Sequence, residues 1–164
     1  MKQFSRISKV VLLLLALGLP AVAGKPIIVV NPFTPFVITA AEGCGTFDVY
    51  FAPEAGRPNG GRVIVFANAE IWQGPVFATA TNVSTGKSIN LNLSGPTHVS
   101  FTTNTTVVYE GPGLTLLTAD LAAAAGLPVV ASVTGRTVFG LDAQGNVISV
   151  SFTGTAQDLC QLLQ

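Results

Sequence analysis

Charged side chains are scarce in this chain, which limits the chemistry that it can perform. Asp, Glu, Lys and Arg together make up 10% of its 164 residues, and His98 is its one histidine. A lone histidine excludes any site that needs two imidazole groups, and we expect His98 on the polar face of a strand. The chain contains no Gly-x-Ser-x-Gly sequence, so nothing supports a serine nucleophile at a strand-to-helix turn. The composition therefore favours binding over catalysis, and no motif predicts a metal ion or another cofactor.

The longest apolar run is too short to cross a membrane. It covers residues 10–19, whereas a transmembrane helix needs about 20 apolar residues. Three basic residues precede this run, and Pro20 and the small-x-small sequence Ala21-Val22-Ala23 follow it, which is the pattern of a secretory signal peptide. We therefore expect cleavage near Ala23, with the mature protein secreted, outside the cell or in the cell envelope, and without a membrane span.

Basic residues are few once residues 1–23 are set aside. The remaining chain has five Lys or Arg residues and eight Asp or Glu residues, a net charge of −3. The five basic residues are dispersed along the sequence, at Lys25, Arg57, Arg62, Lys87 and Arg136. No basic stripe can therefore neutralise a phosphate backbone, and we expect no nucleic-acid partner.

Cysteine occurs twice, as Cys44 and Cys160. In an oxidising compartment two cysteines allow one intramolecular pairing, so we predict a disulfide that joins the two ends of the domain. The alternative is that either thiol acts as a nucleophile or a metal ligand. Such a role needs a nearby histidine or further cysteines, and the spacing offers neither.

The body of the chain has the alternating pattern of β-strands. Apolar residues occupy positions 47, 49 and 51, and again 89, 91 and 93, with polar residues between them, which is typical of half-buried strands. We predict an all-β domain over residues 44–164, formed as a single antiparallel β-sandwich or β-barrel of about seven to nine strands.

The remaining segments are predicted from their turn and helix signals. Residues 24–43 contain three prolines, so we expect an extended N-terminal arm and not a helix. Residues 68–75 end in Gly74-Pro75 and are interpreted as a break between strands. Short helical turns are expected near residues 120–125, with Asp120 as the N-cap, and near residues 156–163.

Three aromatic residues are the best candidates for ligand binding: Trp72, Tyr50 and Tyr109. Exposed aromatic rings pack on the faces of sugars and of other apolar ligands, while their polar tips form hydrogen bonds. We therefore predict a non-enzymatic secreted domain that binds a neutral ligand, a glycan or a partner surface. The competing interpretation of Trp72 is that a sole tryptophan beside Gly-Pro fills one end of the sandwich or barrel.

Two other functions stay open at this point. A small barrel enzyme of the isomerase or cyclase type would use Glu70, Glu110 or Tyr109 in an interior pocket. A structural extracellular protein would have no concave site at all. Asn82, Asn92 and Asn104 each begin an Asn-x-Ser/Thr sequon, which matters only in a host that glycosylates its exported proteins.

Five short segments of turns and cysteines are distinctive: CGTFDV at 44–49, ATNVSTGKS at 80–88, LNLSGP at 91–96, GNV at 145–147 and DLC at 158–160. Together they resemble a group of small exported proteins of Gram-positive bacteria whose function is unknown. The resemblance spans most of the predicted mature chain and rests on turns and on the two cysteines. It implies a small secreted all-β fold with the same disulfide, and it carries no functional residue.

Overall fold

The computed structural model describes residues 27–101 and 105–164. The predicted signal peptide and the sequon at Asn104 lie outside these residues. Within them, eleven strands and two helices follow one another along the chain. Their bounds are β1 Ile27–Asn31, β2 Phe36–Ile38, β3 Val49–Pro53, β4 Gly61–Val65, β5 Ala69–Gln73, β6 Phe77–Asn82, β7 Ser88–Asn92, β8 Thr97–Ser100, β9 Thr106–Leu116, α1 Ala119–Ala125, β10 Val130–Leu141, β11 Val147–Asp158 and α2 Leu159–Leu163.

The strands form two antiparallel sheets in a sandwich-like arrangement, which confirms the predicted all-β class. One sheet has seven strands in the order β1-β4-β5-β8-β9-β10-β11, and the other has four in the order β2-β3-β6-β7. Neither sheet closes into a barrel within the described residues. The strands number more than the predicted seven to nine, because residues 27–38 add β1 and β2 to the sheet edges.

Strand β5 corrects the interpretation of residues 68–75 as a break. Glu70 pairs with Val65 of β4 and with Val99 of β8, so β5 lies inside the seven-stranded sheet. Its sequence, AEIWQ, lacks a regular alternation of polar and apolar residues, which is why the pattern did not indicate a strand. The turn at Gly74-Pro75 ends the strand and does not replace it.

The larger of two hydrophobic cores lies between the four-stranded sheet, the beginning of β10 and helix α2. Helix α2 contributes Leu159 and Leu163, which have no exposed surface. The other buried members are Ile38, Phe47, Val49, Phe51, Ala78, Ala80, Leu91, Leu93 and Val130. The alternating residues 47, 49 and 51 are therefore buried, as the sequence predicts.

A smaller core lies where α1 covers one face of the strands β10 and β11. Leu117, Ala122 and Val133 are buried there, with Phe139 and Phe152 packed against them. The helix begins at Thr118, whose hydroxyl accepts a hydrogen bond from the Leu121 amide, and it ends at Gly126 in the left-handed conformation. Asp120, the N-cap predicted from the sequence, lies in the first turn instead.

A disulfide between Cys44 and Cys160 closes the domain, as predicted, and joins residues 116 positions apart. Two further contacts hold α2 in place. The Asp158 carboxylate accepts hydrogen bonds from the amides of Cys160 and Gln161 at 2.8 and 3.2 Å. The Asn82 amide donates to the Leu163 carbonyl at 3.0 Å. Asn82 is 2% exposed, so its sequon is not presented for glycosylation.

Glycines face one another across the three longest strands. Gly135 of β10 pairs with Gly111 of β9 and with Gly154 of β11, and all three have positive φ angles, of 147°, 92° and 151° respectively. A Cβ atom at Gly154 would collide with the Thr134 carbonyl oxygen. Only glycine satisfies both the backbone angle and the close approach here.

Within residues 27–101 and 105–164, no helix has both the length and the apolar character that crossing a membrane would require.

Removing the disulfide is expected to lower the free energy of unfolding by about 2–4 kcal/mol, because the unfolded chain regains the entropy of a long closed loop. Thermal unfolding with and without reductant checks this expectation. The double variant Cys44→Ala/Cys160→Ala is the control, since its melting curve should not respond to reductant. A native midpoint that stays unchanged in reductant would contradict the expected stabilisation.

Gly154→Ala is expected to destabilise the protein by about 1–3 kcal/mol or more, because alanine must adopt a strained φ angle and displace the backbone of β10. Gly60→Ala is the matched control, because a Cβ atom at Gly60 meets no atom within 4 Å. Urea unfolding of the two variants provides the comparison. If the two variants are equally stable, the close approach of Gly154 to β10 does not require glycine.

Candidate ligand-binding cleft

A cleft of about 390 Å³ lies where the ends of β1, β4 and β5 meet the segments that lead into β2 and β8. We call it the Trp72 cleft. Its lining is mainly apolar and aromatic, with polar groups from asparagine, threonine, glutamine and one arginine. The lining residues are Asn31, Pro32, Phe33, Thr34, Phe36, Gly61, Arg62, Val63, Trp72, Gln73, Gly74, Val76, Leu93, Gly95, Thr97 and Tyr109.

Trp72 is held by the middle of the seven-stranded sheet. It pairs with Val63 of β4 and with Thr97 of β8, so these three side chains emerge from the same face of the sheet. The indole Nε1 donates a hydrogen bond to Glu70 Oε2 at 2.8 Å. The side chain is 43% exposed. Trp72 therefore keeps part of its ring in contact with solvent while its polar atom is already bonded.

Phe33 and Phe36 form an aromatic wall of the cleft. Their rings meet edge to face, with centroids 5.9 Å apart. The ring of Phe36 also stacks on the ring of Phe51, at 4.9 Å, and Phe51 belongs to the larger core. This stacking fixes the wall to the interior of the protein, so the aromatic surface is positioned before any ligand arrives.

Arg62 and Gln73 border the cleft at the ends of β4 and β5, but their side chains leave the face of the sheet opposite to Trp72 and Val63. They are direct cross-strand partners on β4 and β5. With its amide oxygen turned to the guanidinium, Gln73 accepts hydrogen bonds from Arg62 Nε at 3.2 Å and Nη2 at 3.3 Å. Arg62 forms no ion pair among the described residues, where the salt bridge joins Arg136 to Glu110 at 3.6 Å. The Arg62 side chain therefore has a neutral partner, on the face of the sheet opposite to the Trp72 ring.

Tyr109 lies at the base of the cleft, where its hydroxyl has a structural role. The hydroxyl hydrogen-bonds the Leu93 carbonyl at 3.0 Å and also contacts the Pro112 carbonyl. Burial raises the pKa of Tyr109 to about 12, opposed by a backbone hydrogen bond from Gly95. The phenol therefore stays protonated at neutral pH and acts as a donor, not as a base.

The structure brings together two of the three predicted ligand-binding residues. Trp72 and Tyr109 line the cleft, whereas Tyr50 does not. Tyr50 is 40% exposed on β3 of the other sheet. Phe33, Phe36 and Arg62 complete the cleft, and the sequence analysis did not select them. The run NPFTPF at 31–36 is the signal that could have found the two phenylalanines, because prolines hold such a segment extended and display its side chains.

The acidic residues considered for catalysis are not gathered in the cleft. Glu70 accepts the Trp72 indole hydrogen bond, and Glu110 pairs with Arg136 on an exposed part of the sheet. Tyr109 and Glu110 are neighbours on β9, so their side chains point to opposite faces. Within the described residues, no group of three or more His, Cys, Asp or Glu side chains could hold a metal ion.

Comparisons with protein-family models, with curated proteins and with solved structures find no match to this chain. Function must therefore be argued from the residues of the cleft.

Tyr109→Phe is expected to lower the free energy of unfolding at pH 7 by about 1–3 kcal/mol, because the Leu93 carbonyl loses its donor, while the Pro112 carbonyl keeps only the Gly95 amide. The raised pKa adds a pH signature. Because the folded protein holds the phenol proton more tightly than the unfolded chain, this stabilisation is complete below pH 10 and is lost as the pH rises towards 12.

Urea unfolding between pH 8 and 12 checks both effects. The native protein should lose stability over the upper two pH units, and Tyr109→Phe should lose less. Tyr50→Phe, which leaves the Tyr109 phenol in place, should behave as the native protein does. Parallel curves for the native protein and Tyr109→Phe would contradict the role given to burial.

Proposed function

We propose that this protein is an exported, non-enzymatic binding domain whose Trp72 cleft takes a neutral glycan. The observation that carries the proposal is the partly exposed indole ring at a preformed aromatic wall. Sugar rings present C–H faces that pack on such rings. The indole N–H already donates a hydrogen bond to Glu70. A sugar can therefore pack on the ring face of Trp72 without having to accept a hydrogen bond from it.

The polar groups around the cleft suit hydroxyl-rich ligands. Asn31, Thr34 and Thr97 can each donate and accept hydrogen bonds. A cleft with an apolar lining and a few polar groups is the usual form of a small-molecule site, and 390 Å³ lies at the lower end of the usual volumes.

Charge argues for a neutral ligand. The lining contains no Asp, Glu, Lys or His, and Arg62 is the one lining residue that is charged at neutral pH. The lining has no carboxylate to pair with a cationic ligand, and the nearby Glu70 carboxylate is already bonded to the Trp72 indole. The Arg62 guanidinium that an anionic ligand would need lies on the face of the sheet opposite to Trp72 and is directed at Gln73.

Export supports the same proposal. The disulfide between Cys44 and Cys160 is the kind of bond that persists in oxidising compartments. The basic, apolar and small-residue order of residues 1–23 predicts a signal peptide. We infer from these features, and from the resemblance to exported proteins of Gram-positive bacteria, that the domain works at or beyond the cell envelope, where glycans are abundant.

The proposal is tested with the fluorescence of Trp72, the one tryptophan of the chain. A glycan array selects neutral oligosaccharides, and titration with those selected should shift the emission, because the ligand covers the ring. Trp72→Ala should weaken binding by about tenfold or more, the equivalent of about 1.4 kcal/mol. Trp72→Phe, which keeps an aromatic face without the N–H, should retain part of the affinity.

Tyr50→Ala is the matched control, because it removes an exposed aromatic ring outside the cleft. Its affinity, measured by calorimetry so that all variants are comparable, should equal that of the native protein. An array without a bound neutral glycan, or a Trp72→Ala variant that binds as the native protein does, would refute the proposal. Unchanged thermal midpoints in the variants would exclude a loss of fold as the cause.

A further inference from the structure

Strand β1 is an edge strand with apolar residues on both faces. It pairs with β4 on one side and has no described strand on the other. Ile27, Ile28, Val29 and Val30 are between 49% and 74% exposed. An ordinary edge strand places apolar residues on one face and polar residues on the other, so β1 leaves more apolar surface in water than a sheet edge needs.

Strand β1 lacks three of the features that normally keep an edge strand from pairing with another strand. Edge strands usually contain a charged residue, a proline or a bulge, which stops them from pairing with another strand. The sequence of β1, IIVVN, has none of these, and its register with β4 is continuous from Ile27 to Asn31. Within the described residues, no strand pairs with the outward N–H and C=O groups of β1, which form a row of hydrogen-bonding groups.

We propose that β1 pairs with β1 of a second copy of this chain, in a two-fold symmetric dimer that joins the two seven-stranded sheets. Antiparallel pairing about Val29 places Val29 opposite its own copy and Ile28 opposite Val30 of the other chain. Ile27 then lies opposite Asn31. None of these residue pairs brings like charges together. The Val29–Val29 and Ile28–Val30 pairs join β-branched apolar residues, which favour strand pairing.

The absence of charge along β1 favours a second copy over a different protein. A surface that pairs with itself must be complementary about a two-fold axis, and an uncharged run of β-branched residues meets that condition. A contact selective for a foreign strand usually relies on charge or on unpaired polar groups to reject other partners. Strand β1 offers neither, so nothing in it would select another protein.

The other edges are less suited to this contact. Strand β2 has three residues. Strand β7 alternates exposed Ser88, Asn90 and Asn92 with apolar residues on its other face. Strand β11 has an irregular register near Leu141 of its partner strand and a glycine with φ of 151° at Gly154, so it does not present a regular straight edge over its length.

The dimer is tested at Val29, the residue placed on the two-fold axis. The purified native chain should sediment with twice the mass of one chain. Val29→Lys and Val29→Glu should each be monomeric, because the axis would bring two like charges together. An equimolar mixture of the two variants should recover the dimer, since the axis then joins Lys to Glu.

Ile148→Lys is the matched control, because it adds the same charge at an apolar residue of β11 that is 62% exposed. It should remain dimeric. If Ile148→Lys is also monomeric, β1 pairs with β11 in a head-to-tail contact and the proposal is wrong. A native chain that is monomeric at all concentrations, or a mixture that stays monomeric, also refutes it.

Folding of each variant is verified by its thermal midpoint and by the emission of Trp72. Should Val29→Lys fail to fold, Val30→Lys repeats the test at the most exposed residue of β1, and a dimeric Val30→Lys would refute the proposal. The dimer does not depend on glycan binding, so Trp72→Ala should sediment as the native chain does.

Discussion

The attachment of the C-terminal helix to the four-stranded sheet is the constraint on which the rest of the structure depends. Helix α2 places Leu159 and Leu163 in the larger core, where they have no exposed surface. A helix of five residues is far too short to be stable by itself. It is held instead by the Cys44–Cys160 bond and by the Asn82 amide. Since β11 leads directly into α2 and pairs with β10, fixing this helix also fixes the β10–β11 end of the seven-stranded sheet against the smaller sheet.

The cleft is formed by the other half of that sheet, away from this attachment. Its aromatic wall reaches the core through the stacking of Phe36 on Phe51, and its base is held by the Tyr109 hydroxyl. Trp72 has no such contact with the core. The site therefore combines a rigid wall with one ring that is restrained mainly by a hydrogen bond to Glu70. A binding site gains affinity when its surface is preorganised, because less conformational entropy is lost on binding.

Local patterns predicted the parts of this fold that depend on local physics. Two cysteines allow one pairing, and regular alternation indicates which side chains are buried, as at Phe47, Val49 and Phe51. Strand β5 was missed because it is stabilised by partners on both sides and needs no alternation of its own. Alternation is not sufficient at Ile148, which shares a period of two with Val150 and Phe152 and yet is 62% exposed, because α1 covers only part of β11. The cleft joins residues from 31 to 109 in the sequence, and no single-sequence pattern encodes that proximity.

The position of the disulfide also determines how the protein responds to mechanical force. Residues 44 and 160 are joined covalently, so tension between the two ends of the chain passes through the sulfur atoms and bypasses everything between them. Of the described residues, 27–43 and 161–164 lie outside that closed loop. Pulling would detach β1 from β4 and β2 from β3, and once these pairs were broken β3 to β11 would bear no load. The domain would then resist further stretching, because the disulfide keeps Trp72 and its strand inside the closed loop.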